Sequence, residues 1–414
     1  MNDKTILVIG AGITGISAAE WLRRDGHKVT LVDPIIPGTM EQASYGNAGL
    51  LARASVVPVA TPSLVRKAPL MVFDPTSPLF LRWSYLPRLL PWLVPFLRNT
   101  SARRMREISL GLAEITFDTN EQHLALSKGT GAEAHITMGE FVNLYPQKSD
   151  YETDTLSNDI RRDHGLEPDF LSRDALLERD PHLGPDYTFG AVFNNYGWMT
   201  SPSAYVKALF DHFRREGGEF HQAKVAGITP GAQPRVTLEG GEALKADKVV
   251  LSAGAWSAKL ANAMGAGVKL EAERGYHISM HRPSHSPPNP YMVTDGKFVV
   301  TPMDGFLRAA GVVEFAGVDA PASQAPIQLI EKGLKRLYPN LEFERAETWM
   351  GRRPTTPDSL PIVGEDAKAP NILHAYGGQH IGMTIGPKLG RIVADMAAER
   401  CMNTDLSPYR PDRF

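Results

Sequence analysis

The chain has 414 residues, of which 43% are hydrophobic and 22% charged, and this length favours two interlocked globular domains over a single core. The formal net charge of -2 gives no reason to expect a nucleic acid as a partner. The single cysteine, Cys401, excludes both a disulfide framework and a cysteine-based metal site, and no metal is predicted.

The N-terminus has the pattern of a βαβ unit rather than that of a targeting segment. The apolar run Ile6–Ile9 is short and leads straight into a glycine turn without a cleavage site, so cytoplasmic residence is the default expectation. Residues 5–10 are predicted to form a strand, 14–25 a helix, and 28–33 a second strand.

The turn between this first strand and the helix carries a G-x-G-x-x-G motif, Gly10-Ala11-Gly12-Ile13-Thr14-Gly15. Gly10 permits the tight turn, Gly12 lets the backbone approach a pyrophosphate, and Gly15 lets the helix pack closely on the strand. The helix N-terminus offers N–H groups to phosphates. Asp33, 18 residues beyond Gly15, can accept hydrogen bonds from ribose hydroxyls. A dinucleotide site is therefore predicted, but the motif alone does not choose between NAD and FAD.

Residues 79–97 (LFLRWSYLPRLLPWLVPFL) form an apolar stretch with two interpretations. Arginines and prolines interrupt the run, so a membrane-spanning helix is not expected. One interpretation is a Pro-broken helix packed on the substrate domain. The other is a segment lying on an anionic membrane surface, because four arginines follow it, Arg98, Arg103, Arg104 and Arg106. In that case residues 79–106 make a peripheral contact with the inner face of the membrane, where quinones reside.

The remaining elements follow from periodicity. Residues 105–130 are helical in pattern, and Ser203–Gly218 is an amphipathic helix that Ser203 can cap and Gly217 can end. The other predicted elements are strands within 219–254 and 293–316, helices at 326–338 and 386–400, and a strand at 371–376.

Cofactor-type loops lie near both ends of the chain and most of the middle lacks them, so the domains are expected to be discontinuous. We predict a cofactor domain made of residues 1–75, 165–268 and 345–414. Residues 76–164 and 269–344 are predicted to form the substrate domain.

Four later segments carry a family resemblance: 44–51 (SYGNAGLL), 249–257 (VVLSAGAWS), 349–364 (WMGRRPTTPDSLPIVG) and 374–387 (HAYGGQHIGMTIGP). With the N-terminal motif, and in this order, they resemble the FAD-dependent D-amino-acid oxidase/dehydrogenase superfamily, and most closely the bacterial D-amino-acid dehydrogenases. The resemblance covers nearly the whole chain. It implies an α/β (α+β) fold, with a Rossmann-like, glutathione-reductase-type FAD domain and an inserted antiparallel-sheet substrate domain.

The resemblance implies FAD as the cofactor, held where small residues let the backbone pass close to it. The predicted cofactor-binding residues are Gly10, Ala11, Gly12, Ile13, Thr14, Gly15, Asp33, Pro34, Ser44, Asn47, Ala48, Gly49, Leu50, Val225, Ala253, Gly254, Gly351, Gly378, Ile381, Gly382, Met383 and Thr384. Some relatives attach flavin covalently through a histidine in the early loop or a cysteine near the C-terminus. Here the loop carries Asn47, and Cys401 lies well past the glycine loop, so FAD is expected to be noncovalent.

Arg353 is the main candidate for the substrate site. Strand alternation puts Trp349, Gly351 and Arg353 on one face and turns Arg352 to the other. A guanidinium binds a carboxylate at two points, and the resemblance implies that Arg353 binds the α-carboxylate of the substrate. The alternative is that Arg353 belongs to a structural ion pair.

Two further residues are predicted near the substrate. The phenol of Tyr276 can donate to the same carboxylate or wall the pocket, with a packed aromatic as the alternative. His380 can line the flavin edge, although a lone histidine is as often solvated or structural, and His277 is a weaker candidate. No catalytic base is assigned, because water or binding in a desolvated pocket can remove the amine proton.

The implied function is oxidative deamination of a D-amino acid, with D-proline or 4-hydroxy-D-proline among the candidate substrates, by hydride transfer from Cα to flavin N5. The electrons are expected to pass to a quinone or another acceptor. The alternatives are a secondary-amine (sarcosine-like) oxidase or dehydrogenase, an oxidase that reduces O2, and a noncatalytic dinucleotide-binding protein.

Overall fold

The computed structural model describes residues 3–62, 65, 71 and 77–414, and in it the predicted βαβ unit is confirmed. β1 (Thr5–Ile9), α1 (Ile13–Arg24) and β2 (Lys28–Asp33) follow one another, and the two strands pair in parallel. β1 is apolar on both faces because a separate hydrophobic core lies on each side of it.

The first sheet has six strands. Besides β1 and β2 it contains β8 (Glu219–Gln222), β12 (Lys248–Leu251), β18 (Ile362–Asp366) and β19 (Ala369–Tyr376). Their order is β18-β19-β12-β1-β2-β8, parallel except for the antiparallel edge strand β18. Because the carboxyl ends of parallel strands share one edge, the loops after β1, β2 and β12 meet there.

The second sheet has ten strands. They are β3 (Leu50–Leu51), β4 (Leu79–Leu81), β5 (Ile136–Tyr145), β6 (Asp169–Ser172), β7 (Phe189–Met199), β13 (Glu271–His281), β14 (Tyr291–Val293), β15 (Phe298–Met303), β16 (Phe306–Phe315) and β17 (Arg345–Thr355). The order is β17-β13-β16-β15-β14-β5-β7-β3, with β4 paired to β16 and β6 to β7. A small sheet of β9 (Val225–Thr229), β10 (Arg235–Leu238) and β11 (Ala243–Lys245) stands apart.

Helices cover both sheets. Within the described residues the remaining α-helices are α2 (Leu86–Arg98), α3 (Ala102–Thr116), α4 (Thr119–Ser127), α5 (Lys148–Glu152), α6 (Thr155–Asp163), α7 (Arg173–Arg179), α8 (Pro202–Arg215), α9 (Ser257–Ala263), α10 (Ala325–Leu337) and α11 (Gly382–Ala397). α1, α8 and α11 pack on the six-stranded sheet, and α10 packs on the back of the ten-stranded sheet. The face of the ten-stranded sheet opposite α10 is directed toward the six-stranded sheet.

Several boundaries differ from the predictions. The helix predicted from Ser203 begins at Pro202, because Ser201 is the residue whose hydroxyl accepts the N–H of Ala204. The last helix begins at Gly382 rather than at residue 386, so the glycine loop is partly helical. The helix predicted at 105–130 is two helices, α3 and α4.

The predicted division into two domains stays a prediction. β7 and β17, which were placed in the cofactor domain, pair within the ten-stranded sheet. The predicted boundary at residues 75 and 76 involves positions outside the described part of the chain.

The segment 79–97 contains β4, a short 3-10 turn and α2, whose interior includes Pro91 and Pro95. One face of α2 is buried through Leu89, Trp92 and Phe96, as expected for a packed helix. Across residues 3–62, 65, 71 and 77–414, no helix has the length and apolar character needed to span a membrane.

Candidate functional site

A cavity of about 2380 Å³ lies between the carboxyl edge of the six-stranded sheet and the free face of the ten-stranded sheet. The predicted site residues all line it except Ala11, Gly15, Gly49 and the weaker candidate His277. The fold thus brings the N-terminal turn, the 44–50 loop, the Arg353 strand and the glycine loop before α11 to one place.

The glycines of the N-terminal turn have three different environments. Gly10 has φ +100°, and a Cβ there would lie 2.4 Å from the Ser252 carbonyl oxygen. A Cβ on Gly15 would lie 1.8 Å from the carbonyl oxygen of Gly10, so this glycine lets α1 pack on β1. At Gly12 the nearest atom to an added Cβ is the Ser44 hydroxyl oxygen at 3.5 Å. Only Gly12 of these three leaves its side-chain direction open, as a backbone that approaches a ligand requires.

The Asp33 carboxylate is fixed at the end of β2. It accepts the backbone N–H groups of Ala11 at 2.6 Å and Ile35 at 2.8 Å. Burial raises the pKa of Asp33 above its ordinary value, and the two N–H groups oppose that rise. The carboxylate lines the cavity beside the glycine turn, where it can accept further hydrogen bonds.

The 44–50 loop is tied to both sheets. The Ser44 hydroxyl accepts the N–H of Ile13 at 3.0 Å, which places this loop against the start of α1. Asn47 Oδ1 accepts the N–H of Gly49, whose φ is +79°. From the larger sheet, Arg308 donates to the carbonyls of Tyr45 and Asn47, each at 2.8 Å.

Arg308 was not predicted from the sequence. Its side chain is almost fully buried, and desolvation lowers its pKa to about 10. Thr301 strengthens the same attachment by donating to the Ala48 carbonyl at 2.8 Å. The loop conformation therefore depends on β15 and β16, which lie far away in sequence.

The start of α11 is held by Thr384. Its hydroxyl donates to the Leu50 carbonyl at 3.0 Å and accepts the N–H of Ala52 at 3.1 Å. His123, also missed from sequence, is buried and donates to the Met383 carbonyl at 2.8 Å. Desolvation lowers the pKa of His123 to about 4, so the ring is neutral at physiological pH.

Arg353 lies opposite Glu273 on paired strands. Its Nη1 atom donates to Glu273 Oε1 at 2.9 Å and to the Val312 carbonyl at 3.2 Å. Both side chains line the cavity, and Arg353 keeps 22% of its side-chain area exposed. The alternative of an ion pair is thus observed, yet the guanidinium still borders open space.

His380 lies near this pair. Desolvation lowers the pKa of its ring, Glu273 acts to raise it, and Arg353 acts to lower it. The residue is exposed and lines the cavity. His380 is therefore a neutral group in the wall that contains Arg353.

Tyr276 lies on the opposite face of β13 from Glu273 and Arg353. It belongs to the core under α10, its hydroxyl donates to Glu314, and it accepts the N–H of Ser323 at 3.1 Å. Tyr276 borders the same cavity as Arg353, but its hydroxyl bonds to Glu314 and Ser323 rather than to Arg353. Its role at the substrate stays a prediction, and this packing favours the alternative of a packed aromatic. Arg352 faces the same side, as alternation predicts, and donates to the Val318 carbonyl.

The carboxylate of Glu273 is the main site feature that the sequence analysis missed. Glu271 and Glu273 lie on either side of Ala272 in a strand that is buried along most of its length. Acidic residues are seldom fully buried without a partner. That pattern is a signal that could have paired Glu273 with an arginine.

The family comparison covers nearly the whole chain. A family model described as FAD dependent oxidoreductase matches residues 5–396. Two curated relatives align over nearly their full lengths. A D-amino-acid oxidase of Bradyrhizobium diazoefficiens is 35% identical, covering 100% of this chain and 99% of the relative. A D-amino acid dehydrogenase of Paramagnetospirillum magneticum is 27% identical, with 99% and 98% covered.

Solved structures share the fold. Glycine oxidase from Geobacillus kaustophilus superposes with a TM-score of 0.73 at 19% identity, covering 100% of both chains. L-Amino acid deaminase from Proteus myxofaciens superposes with a TM-score of 0.72 at 15% identity, covering 100% of this chain and 94% of that one. At these identities the likeness concerns the fold, and it confirms the predicted fold class.

Proposed function

The chain belongs to the family of FAD-dependent oxidoreductases, and from that premise we propose that it oxidises D-amino acids at the Cα–N bond. The imine product then hydrolyses to a 2-oxo acid and ammonia, or stays a cyclic imine when the substrate is of the D-proline type. The two relatives named D-amino-acid oxidase and D-amino acid dehydrogenase support this substrate class. We propose a quinone or another acceptor as the destination of the electrons.

The residues around the cavity fit FAD. Its volume of about 2380 Å³ exceeds the roughly 300–1,000 Å³ of an ordinary small-molecule pocket, which leaves room for a dinucleotide beside a substrate. The open side of Gly12 and the N-terminus of α1 suit a pyrophosphate, and Asp33 suits ribose hydroxyls. Asn47 offers no nucleophile for a covalent bond, so we propose noncovalent binding. When bound, FAD supplies the acceptor for the hydride.

The observation that carries the proposal is the placement of Arg353 in the same cavity as the glycine turn. A guanidinium that borders open space binds a carboxylate strongly and in a fixed orientation. Fixing the α-carboxylate orients the substrate's Cα. Orienting the reacting atom is the main contribution of the protein to a reaction whose chemistry the cofactor supplies. A neutral His380 adds no positive charge beside Arg353.

The test is anaerobic bleaching of the flavin absorbance by D- and L-amino acids, D-proline, 4-hydroxy-D-proline and sarcosine. We expect bleaching by D-substrates, and loss of it in Arg353→Leu with FAD retained. Arg345→Leu is the matched control, because this arginine lies at the exposed end of the same strand, pairs with Glu347 and does not line the cavity. If sarcosine alone bleached the flavin, the proposed substrate would be a secondary amine and not a D-amino acid. A protein without flavin absorbance would contradict the proposal.

We also propose that α2 contacts an anionic membrane surface. Leu90, Val94 and Leu97 are 46%, 45% and 42% exposed along one side of this helix. Arg88 and Arg98 are exposed on the same helix, and arginines beside an apolar face favour anionic lipid.

The arginines that follow α2 contribute less to this contact than their number indicates. Arg103 and Arg104 both pair with Glu107, at 2.9 Å each, so their charge is partly neutralised. The proposed contact therefore depends mainly on the exposed face of α2 itself.

A further inference from the structure

The geometry around Arg353 assigns a role to Glu273 that rests on the proposed function. Glu273 and Arg353 are directly paired residues of the antiparallel strands β13 and β17. The carboxylate is 3% exposed and also accepts the Thr355 hydroxyl at 3.3 Å. It is therefore held by its own strand pairing and by a second donor before any substrate arrives.

The guanidinium of Arg353 uses only part of its hydrogen-bonding capacity. Nη1 donates both of its hydrogens, one to Glu273 and one to the Val312 carbonyl. Within the part of the chain that the structure describes, Nε and Nη2 have no hydrogen-bond partner in the protein. The edge formed by Nε and Nη2 is one that binds a carboxylate with two parallel hydrogen bonds.

Gly275 makes this orientation sterically possible. A Cβ on Gly275 would lie 2.2 Å from Cζ, 2.2 Å from Nη2 and 2.5 Å from Nε of Arg353. The guanidinium thus lies flat across the backbone of β13, with no side chain beneath it. The Val312 carbonyl that it reaches lies at a bulge of β16, where φ is +50°.

We propose that Glu273 is a positioning residue for substrate binding. By taking up Nη1, together with the Val312 carbonyl, it holds the Arg353 guanidinium flat over Gly275 and presents the Nε–Nη2 edge to the α-carboxylate of the substrate. Without this acceptor, a long arginine side chain has several rotamers and no fixed edge. The position of the carboxylate, and hence of Cα, depends on Glu273 although Glu273 need not touch the substrate.

The experiment compares Glu273→Gln with Glu273→Met in the FAD-loaded protein. Both variants lack the negative charge and have similar length, but only glutamine keeps an oxygen that accepts from Nη1. The probe is benzoate, a carboxylate without an amine, titrated by its perturbation of the flavin absorbance. We expect a benzoate Kd at least tenfold lower in Glu273→Gln than in Glu273→Met. The kcat/KM for a D-amino acid is expected to follow the same order.

Equal benzoate affinities in the two variants would overturn the positioning role. Glu314→Gln is the fold control, since it changes the buried pair on the other face of β13, and benzoate binding should match the parent. If Glu273→Met fails to retain FAD, Glu273→Ala replaces it in the same comparison. A parent protein that no amino acid reduces would refute the proposed function, while the benzoate comparison would still decide the role of Glu273.

Discussion

β13 contributes to an arginine–glutamate pair on each of its faces, and the two pairs are occupied differently. On the core face, Arg274 is fully buried, and its Nε, Nη1 and Nη2 atoms donate to Glu314 and to the carbonyls of Gly317, Ala320 and Pro321. On the cavity face, Arg353 uses Nη1 alone. An ion pair by itself therefore does not separate a structural arginine from a binding one. The two kinds of arginine are distinguished by the number of guanidinium N–H donors that have no protein partner and face open space.

The largest difference between the pairs should appear in stability. Glu314→Ala leaves the guanidinium of Arg274 buried without its carboxylate, and breaking such a pair costs about 3–5 kcal/mol in the free energy of unfolding. Chemical denaturation of the FAD-loaded protein measures this. Asp211→Ala, at the exposed Lys207 pair, is the control and should change little. If the two substitutions had equal effects, the core pair would not be structural.

A second substitution tests the Arg353–Glu273 pair by changing Gly275, over which the guanidinium lies. Gly275→Ala puts a methyl group into the space of the Arg353 guanidinium and leaves both partners of the pair in place. A displacement of about 1 Å can cost roughly 100-fold in rate, so we expect kcat/KM for D-amino acids to fall by about that factor. Gly227→Ala, a strand glycine with open space around it, is the control. Unchanged kcat/KM would show that the guanidinium does not need this surface.

The cavity face of β13 also carries a buried histidine, His277. His277, on the cavity face, stacks on Trp349 and donates to the Gly46 carbonyl at 3.0 Å. Desolvation, and to a lesser degree Arg308, lowers its pKa to about 3. Between about pH 4 and pH 6 the unfolded chain holds a proton at this residue that the folded protein does not.

The free energy of unfolding should therefore increase as the pH is raised through this window, by about 1.4 kcal/mol per pH unit from His277. His277→Phe should reduce the slope of unfolding free energy against pH by that amount. His221→Gln, at a more exposed histidine, serves as the control. A slope that stays unchanged in His277→Phe would mean that this ring is protonated in the folded protein.

α2 also has one buried face and one exposed face. Substitutions on its exposed face are expected to have the smallest effect per residue, here on the free energy of membrane binding. Substituting Leu90, Val94 and Leu97 with serine should weaken sedimentation with anionic liposomes at low salt, by about 1 kcal/mol per residue. Leu110→Ser, at an exposed leucine of α3, is the control. Equal sedimentation of the parent and the triple variant would contradict a membrane contact through α2.

The elements predicted correctly from the sequence were those with local signals. The turn from Gly10 to Gly15 depends on residues that are neighbours in the chain, and alternation within β17 placed Arg352 and Arg353 on opposite faces. The partner of Arg353 lies 80 residues away, and nothing local indicates the register of β13 against β17. That register also decides which residues of β13 share a face with Arg353, which is why the position of Tyr276 on the other face could not be foreseen.

The attachment of the 44–50 loop to the larger sheet bears on how ligands enter. β3 follows directly after this loop and pairs with β7, so the N-terminal segment that follows the βαβ unit forms an edge of the ten-stranded sheet. The same loop is also tied to α1 through Ser44 and Ile13, so a hinge rotation of one sheet away from the other would have to break either that contact or the bonds of the loop to β7 and Arg308. We therefore expect substrates to enter through local movements of surface loops, with the two sheets keeping a constant separation throughout turnover.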